Sequence, residues 1–114
     1  MGVSISHPPP SAAFSSASSM PPSVVGFAAN MKSSPFEFIG DFMFQDTRKC
    51  DTLYCMRDII EQVVKRHAAS HNNVPAKELV IYRNGIDEGS FSAVSSMFYI
   101  IIVDSRSLLK KFLL

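Results

Sequence analysis

Three segments in the N-terminal half of the chain have the pattern of β-strands, and two of them, 2–6 and 36–44, alternate with a two-residue period. The alternation is longest in 36–44, where phenylalanines fall on one face and Glu37, Ile39, Asp41 and Met43 fall on the other. Side chains of a strand point alternately to the two faces of its sheet, so this pattern predicts a strand buried on one side. The face predicted to lie in the core carries Phe36, Phe38, Phe42 and Phe44. Residues 2–6 and 24–29 predict two shorter strands, and a turn over 30–35 predicts a hairpin between the second and third.

The apolar spacing changes to that of an amphipathic helix after residue 52. Apolar residues recur at i, i+3, i+4 and i+7, which predicts a helix over 53–69 with one buried stripe. The stripe consists of Leu53, Met56, Ile59, Ile60, Val63, Val64 and His67. Asp51 or Thr52 is suited to cap the start of this helix, and Asn72-Asn73 and Pro75 are suited to end it.

A short continuous apolar run follows the helix. The run Leu79–Tyr82 predicts a central strand covered on both faces of the sheet. Arg83-Asn84-Gly85 ends this strand in a turn, and residues 86–94 predict the start of a second helix. The predicted order is therefore β-β-β-α-β-α, an α/β fold with a mixed sheet. We expect the first three strands to be antiparallel neighbours and the fourth to lie parallel to the first.

Two segments lack a core pattern. Residues 8–23 are rich in proline, serine and alanine and predict a flexible surface loop. Residues 95–114 form an apolar tail of uncertain structure, which contains the longest apolar run, Met97–Val103. That run is much shorter than the ~20 residues needed to cross a bilayer, and no membrane partner is expected. The predicted organisation is one domain over 2–94 followed by the tail.

Composition limits the function of the chain when it acts alone. A chain of 114 residues forms at most one small domain, and 11 lysines and arginines against 10 acids give a net charge of +1. A freestanding nucleic-acid binder usually carries a strong basic excess, because neutralisation of phosphates drives its binding. The chain therefore either binds no nucleic acid alone or is a piece of a larger protein. Cys50 and Cys55 fit neither a zinc nor a redox spacing, so no cofactor is expected.

The N-terminus also fits a targeting pattern. Met1-Gly2-Val3-Ser4-Ile5-Ser6 satisfies the loose pattern for myristoylation of Gly2. The alternative is that the same residues simply begin the first strand. No polybasic patch follows to supply the second anchor that stable membrane binding requires, which favours the strand.

Four sequence landmarks follow one another in a specific order. Residues 80–91 read Val-Ile-Tyr-Arg-Asn-Gly-Ile-Asp-Glu-Gly-Ser-Phe, and residues 2–8 read Gly-Val-Ser-Ile-Ser-His-Pro. The first is similar to a strand ending in Tyr-Arg-Asp-Gly-Val and followed by Glu-Gly-Gln-Phe, and the second to Gly-x-Asp-Val-Thr-His-Pro. Residues 22–26 are similar to the second strand of the same known domain. Residues 44–49 are similar to the segment that leads to its first helix. Together, over 2–91, they resemble the Piwi domain of the Argonaute family, which implies an incomplete RNase H-like fold.

The resemblance also indicates what happened to the catalytic site. Active members of the family hold two divalent metals with an acidic tetrad and cut target RNA opposite a guide. The matching positions here are Ser4, Cys50 and Asn84, and the fourth ligand would lie beyond the last residue. A hydroxyl, a thiol and an amide cannot replace three anionic oxygen ligands of magnesium. We therefore expect no catalytic residues, no metal and no slicing.

The function implied by the resemblance is small-RNA-guided gene silencing without slicer activity, as in divergent, worm-type Argonautes. The expected partners are a small guide RNA and a target RNA, held in the context of a full-length Argonaute, and other silencing proteins. The expected location is the cytoplasm, ribonucleoprotein granules or the nucleus. Two alternatives remain open: a metal-dependent nuclease built from displaced carboxylates such as Asp51, Asp87 and Glu88, or a truncated product without independent function.

Two further groups of residues suggest other chemistry, but each has a simpler structural interpretation. His67 and His71 are separated by one helical turn and could share a metal ion, but solvent-exposed histidines at a helix end are the simpler interpretation. The phenylalanines of 36–44 could stack on bases, as on RNA-binding sheets. Their predicted position in the core argues against that role.

Overall fold

The computed structural model of the chain describes residues 1–9, 20–46 and 53–85, together with Gly89 and Ser92. Within this part, the chain forms four strands and one helix, in the order β1 Gly2–Ser6, β2 Ser23–Ala29, β3 Ile39–Gln45, α1 Met56–Ser70 and β4 Tyr82–Arg83. The predicted order β-β-β-α-β is confirmed. The predicted second helix over 86–94, apart from Gly89 and Ser92, and the tail 95–114 lie outside the described residues.

The four strands form one mixed sheet with the order β3-β2-β1-β4. β1 and β2 are antiparallel with Val3 opposite Phe27, and β2 and β3 are antiparallel with Val25 opposite Met43. β4 lies parallel to β1, with Gly2 opposite Tyr82. The predicted hairpin and the predicted parallel pairing across a helical crossover are both confirmed.

The core lies between α1 and one face of the sheet. The buried stripe of α1 consists of Met56, Ile59, Ile60, Val63 and Val64, as the helical spacing predicts. It shares one cluster with the buried residues of β2, Val25, Phe27 and Ala29, and with Val3 of β1. Full burial of an aliphatic or aromatic side chain of this size contributes ~1.5–3 kcal/mol, so this cluster is the main source of stability in the described fold.

The phenylalanines of 36–44 face away from this core, so the prediction that they are buried is wrong. β3 begins only at Ile39, and the exposed fractions are 88% for Phe36, 65% for Phe38, 57% for Phe42 and 62% for Phe44. The face of β3 that packs towards the core instead carries Ile39 and Met43. The two-residue period separates the two faces of a strand correctly, but packing of α1 decides which of them is covered.

The prediction of a central strand covered on both faces is also wrong for the described part of the chain. β4 is only Tyr82–Arg83 and lies at the end of the strand order. Tyr82 is 71% exposed and Val80 56%, whereas Ile81 packs against the core. The reason is that α1 covers one face of the sheet, and no other described helix covers the opposite face.

The ends of the elements show smaller differences from the prediction. Cys55 is the N-cap of α1 and makes no side-chain capping bond, while the predicted caps Asp51 and Thr52 lie outside the described residues. The helix ends as predicted, since Asn72 and Asn73 have positive φ angles of 53° and 61°. Residues 10–19 of the predicted loop 8–23 are not described, but Ser23 belongs to β2 and is completely buried. No helix in the described ranges is long and apolar enough to span a membrane.

Candidate functional site

Backbone hydrogen bonds hold residues 80–84 against the first strand. The nitrogen of Met1 donates to the carbonyl oxygen of Val80 at 2.8 Å, and the N–H of Tyr82 donates to the carbonyl oxygen of Met1 at 2.8 Å. The N–H of Asn84 then donates to the carbonyl oxygen of Val3 at 3.2 Å. Pairing with β1 therefore continues one residue past β4 and fixes Asn84 beside the middle of β1.

Ser4 lies on the sheet face that points away from α1. Along β1, Val3 is buried and Ile5 half-buried, whereas Gly2, Ser4 and Ser6 are exposed. Ser4 and Asn84 line the same shallow depression on that open face. The prediction that these two positions meet on adjacent strands is confirmed. Cys50, the third predicted position, lies outside the described residues.

The depression is a trough floored by small residues, and we call it the open trough. Its floor consists of Gly2, Ser4, Gly26, Ala28 and Gly40, with Tyr82 and Asn84 on the β4 side. A β-carbon placed at Gly2 or Gly26 would meet no atom within 4 Å. The trough is therefore open because three strands carry glycine, alanine or serine at neighbouring positions, not because another described element presses against it.

Asp41 is the one acidic residue among those that line the open trough. Its carboxylate is bonded elsewhere, because Oδ2 lies 2.9 Å from Nη2 of Arg66 on α1 and Oδ1 accepts the N–H of Phe42 at 2.8 Å. The hydrogen bond from Arg66, followed by the one from Phe42, lowers the pKa of Asp41. The carboxylate of Asp41 is thus held on its own ion pair rather than offered to a metal in the trough.

The side chains of the open trough are chemically neutral at the positions where the family resemblance places metal ligands. Ser4 offers a hydroxyl and Asn84 an amide, and both are weak ligands for magnesium compared with carboxylates. Within the described ranges, no group of three histidine, cysteine, aspartate or glutamate side chains is arranged to hold a metal ion. The open trough therefore offers hydrogen-bonding groups and an apolar surface.

Two exposed aromatic rings extend the apolar surface beyond the trough. Phe42 and Phe44 contact each other edge to face, with ring centroids 5.4 Å apart and an interplanar angle of 76°. Their exposure removes the earlier reason to exclude base stacking. No lysine or arginine lines the trough beside them, however, so nothing there would neutralise the phosphates of a bound strand.

His67 and His71 lie at the C-terminal end of α1. Their rings are stacked, with centroids 3.9 Å apart and an interplanar angle of 12°. Both residues are half-buried, so the prediction of solvent-exposed histidines is only partly right. Burial, and then the neighbouring His71, lower the pKa of His67. His67 also lines a cleft of about 170 Å³ between α1 and residues 76–79.

Two groups of residues remain: the carboxylates of the alternative nuclease, and an ion pair that the sequence did not predict. Asp51, Asp87 and Glu88, the carboxylates of the alternative nuclease, lie outside the described residues. The sequence did not predict the ion pair between Asp41 and Arg66. A signal for it existed, because Asp41 lies between the apolar residues Ile39 and Met43 on one face of β3 and Arg66 flanks the apolar stripe of α1.

Comparison with known proteins adds one finding to this geometry. The family model described as the Piwi domain matches residues 1–100. No curated protein sequence gives a significant match. The matched region contains every strand and the helix of the described fold and both sides of the open trough, and it continues past residue 94, the predicted domain boundary.

Proposed function

Since the chain belongs to the Piwi domain family, we propose that it is part of an Argonaute-type protein that takes part in small-RNA-guided gene silencing without cutting its target. Membership of this family implies a nucleic-acid-binding function of the Argonaute or Piwi type. The role in silencing, the absence of slicing and a relationship to divergent worm-type Argonautes are our proposal.

One observation supports the absence of slicing most strongly. Ser4 and Asn84 lie together at the junction of β1 and β4, as expected for two positions of one former metal site. Two-metal phosphodiester cleavage requires several carboxylates to hold the ions that activate water and stabilise the leaving oxygen. A hydroxyl and an amide at these positions supply no anionic ligand from β1 or from the end of β4.

The charge of the chain supports a role inside a larger assembly. A net charge of +1 is too low for tight binding of an RNA backbone by the chain alone. We therefore propose that the guide RNA and target RNA are held mainly by other domains of a full-length Argonaute, with silencing proteins as further partners. The proposed location is the cytoplasm, ribonucleoprotein granules or the nucleus.

A cleavage assay tests the absence of slicing. The purified chain is incubated with a labelled guide–target duplex and Mg²⁺ or Mn²⁺, and the products are separated on a denaturing gel. We expect no cleavage above the level seen with EDTA. The triple variant Ser4→Asp, Cys50→Glu, Asn84→Asp should also give little cleavage, because a chain with a net charge of +1 holds the duplex only weakly.

The same assay separates the proposal from the alternative nuclease. Metal-dependent cleavage by the unmodified chain would contradict the proposal. Loss of that cleavage in Asp87→Asn or Glu88→Gln, with Asp58→Asn on the exposed side of α1 as the matched control, would establish an enzyme with displaced carboxylates.

Crosslinking tests the proposed role in silencing. The tagged full-length protein that contains this chain is crosslinked to RNA in cells of its source, and the bound RNAs are sequenced. We expect enrichment of short guide-length RNAs over an Ile59→Asp control, which places a carboxylate at a position with 0% exposure and disrupts the domain. Equal recovery from both proteins would contradict the proposed role.

A further inference from the structure

The stacked histidines at the end of α1 have no role in the proposed function. His67 lies in the last turn of α1 and His71 is its C-cap, so the two are one helical turn apart on the same face. Their ring centroids are 3.9 Å apart. This site is on the α1 side of the sheet, and none of its residues lines the open trough.

The hydrogen bonding of His71 leaves one ring nitrogen free to act as a ligand. Its Nδ1 lies 2.8 Å from the carbonyl oxygen of His67, and because a carbonyl oxygen only accepts, Nδ1 must carry the hydrogen. In the neutral ring, Nε2 then holds the lone pair. Histidines that bind metals typically donate their second ring N–H to a backbone carbonyl or carboxylate in this way, which fixes both tautomer and orientation.

His67 is less constrained than its neighbour. Its Nδ1 is buried and has no hydrogen-bond partner. The ring is thus held by packing and by the stack with His71, not by hydrogen bonds at Nδ1. A buried imidazole nitrogen without a partner carries a desolvation cost, and a bond to a ligand would offset that cost.

One shared ion requires a nitrogen of each ring to lie close to a nitrogen of the other. Zinc–nitrogen bonds of about 2.0–2.1 Å place two nitrogens on the same ion roughly 3 Å apart. The rings are nearly parallel, at an interplanar angle of 12°, so their lone pairs do not yet converge. Since His71 is anchored and His67 is not, rotation of the His67 ring is the movement that would close the pair.

From these features we infer that His67 and His71 form a two-histidine binding site for a divalent transition-metal ion such as Zn²⁺ or Ni²⁺. Imidazole nitrogen suits these ions, whereas Mg²⁺ requires oxygen ligands. No third histidine, cysteine or acidic side chain in the described part of the chain completes the group, so water fills the other coordination positions. Binding joins the last turn of α1 to its C-cap and stabilises the end of the helix.

Calorimetry with matched variants tests the inference. Zn²⁺ and Ni²⁺ are titrated into the full chain carrying Cys50→Ser in every sample, since thiolates bind both ions and Cys55 is buried. His67→Gln and His71→Asn each remove one ligand, and His7→Gln removes the remaining histidine of the chain as the control. Thermal melting without metal confirms that each variant is folded before its titration is interpreted.

We expect one ion per chain, a higher melting temperature with Zn²⁺, and affinity at least ten-fold weaker in both pair variants but unchanged in His7→Gln. Mg²⁺ should give no heat above dilution. Unchanged affinity in either pair variant, or equal loss in His7→Gln, would overturn the inference. If one pair variant is unfolded without metal, the other decides, and Zn²⁺-induced shifts of imidazole NMR signals confined to His67 and His71 in the parent chain provide the second readout.

Discussion

The backbone N–H of Asn84 donates to the carbonyl oxygen of Val3 across 3.2 Å, and this bond fixes the residue after β4 beside the middle of β1. Two positions that are far apart in sequence, 4 and 84, therefore border the same open trough. In a fold of this order, that junction is where ligands from the first and fourth strands can share metal ions. The side chains of residues 4 and 84 at this junction are a hydroxyl and an amide.

The first prediction concerns the exposed apolar face of the sheet. Phe42 and Phe44 are 57% and 62% exposed and contact each other, so together they present an apolar patch to solvent. The double substitution Phe42→Thr, Phe44→Thr should reduce binding of a hydrophobic dye and reduce self-association on size-exclusion chromatography. Threonine retains strand propensity, so the melting temperature should change little.

A substitution on the other face of the same strand is the control for this prediction. Met43 packs against the core, and Met43→Thr should lower the melting temperature without reducing dye binding. If the double phenylalanine variant melts at a much lower temperature than Met43→Thr, the assignment of the two faces of β3 is wrong.

The contrast between α1 and β3 shows how far the sequence determines the fold. The stripe of α1 is apolar and its opposite face is polar, so only one side can be buried, and Ile59 and Ile60 are indeed almost completely inaccessible. Both faces of β3 carry large apolar residues. Choosing between the Phe42 face and the Met43 face requires knowledge of where α1 packs, and local sequence does not contain it.

The same limit applies to β4 and to the site. A run such as Leu79–Tyr82 has the same pattern whether one face or both are covered, so the sequence alone overestimated its burial. The proximity of residues 4 and 84 was predicted from the family resemblance, because the periodicity of hydrophobic residues does not connect the two positions. The ion pair between Asp41 and Arg66 joins two different elements, and only the packing of α1 on the sheet brings its members together.

The second prediction uses this difference in burial to test the core. Ile59 is 0% exposed, and Ile59→Ala should lower the free energy of unfolding by about 2–5 kcal/mol through lost contacts and a cavity. Phe36 is 88% exposed, and Phe36→Ala should change the free energy of unfolding by less than about 0.5 kcal/mol. Chemical denaturation measures both. A larger loss for Phe36→Ala than for Ile59→Ala would contradict the described core.

The third prediction concerns the pH dependence of the ion pair between β3 and α1. The pKa of Asp41 lies below its ordinary value of 3.8, mainly because Arg66 bonds the ionised carboxylate. A depressed pKa in the folded state means that Asp41 stabilises the fold above the unfolded-state pKa, and this contribution is lost as the pH falls through the folded-state pKa. Asp41→Asn should therefore lower the melting temperature at about pH 6, and this effect should shrink as the pH falls below the ordinary aspartate range.

The size of this effect should be small and sensitive to salt, because the pair is at the surface. Arg66→Ala removes the partner of Asp41 and completes a double-mutant cycle. At neutral pH, the double variant Asp41→Asn, Arg66→Ala should lose less stability than the sum of the losses in the two single variants. Fully additive losses would show that the two side chains do not interact in solution. Glu61→Gln serves as the control for loss of a surface ion pair, because the pair of Glu61 and Lys65 lies within α1 and does not join two elements.

NMR with Mn²⁺ tests our proposal that Ser4, Cys50 and Asn84 occupy the positions of a lost metal site. Paramagnetic Mn²⁺ broadens the signals of nuclei near its binding site, so it locates an ion without requiring catalysis. Titration of the unmodified chain should leave the amides of Gly2, Ser4 and Asn84 unbroadened. The variant Ser4→Asp, Cys50→Glu, Asn84→Asp should show broadening centred on these amides. Broadening of these amides in the unmodified chain, or broadening of the triple variant only at other sites, would show that the three positions are not those of a lost metal site.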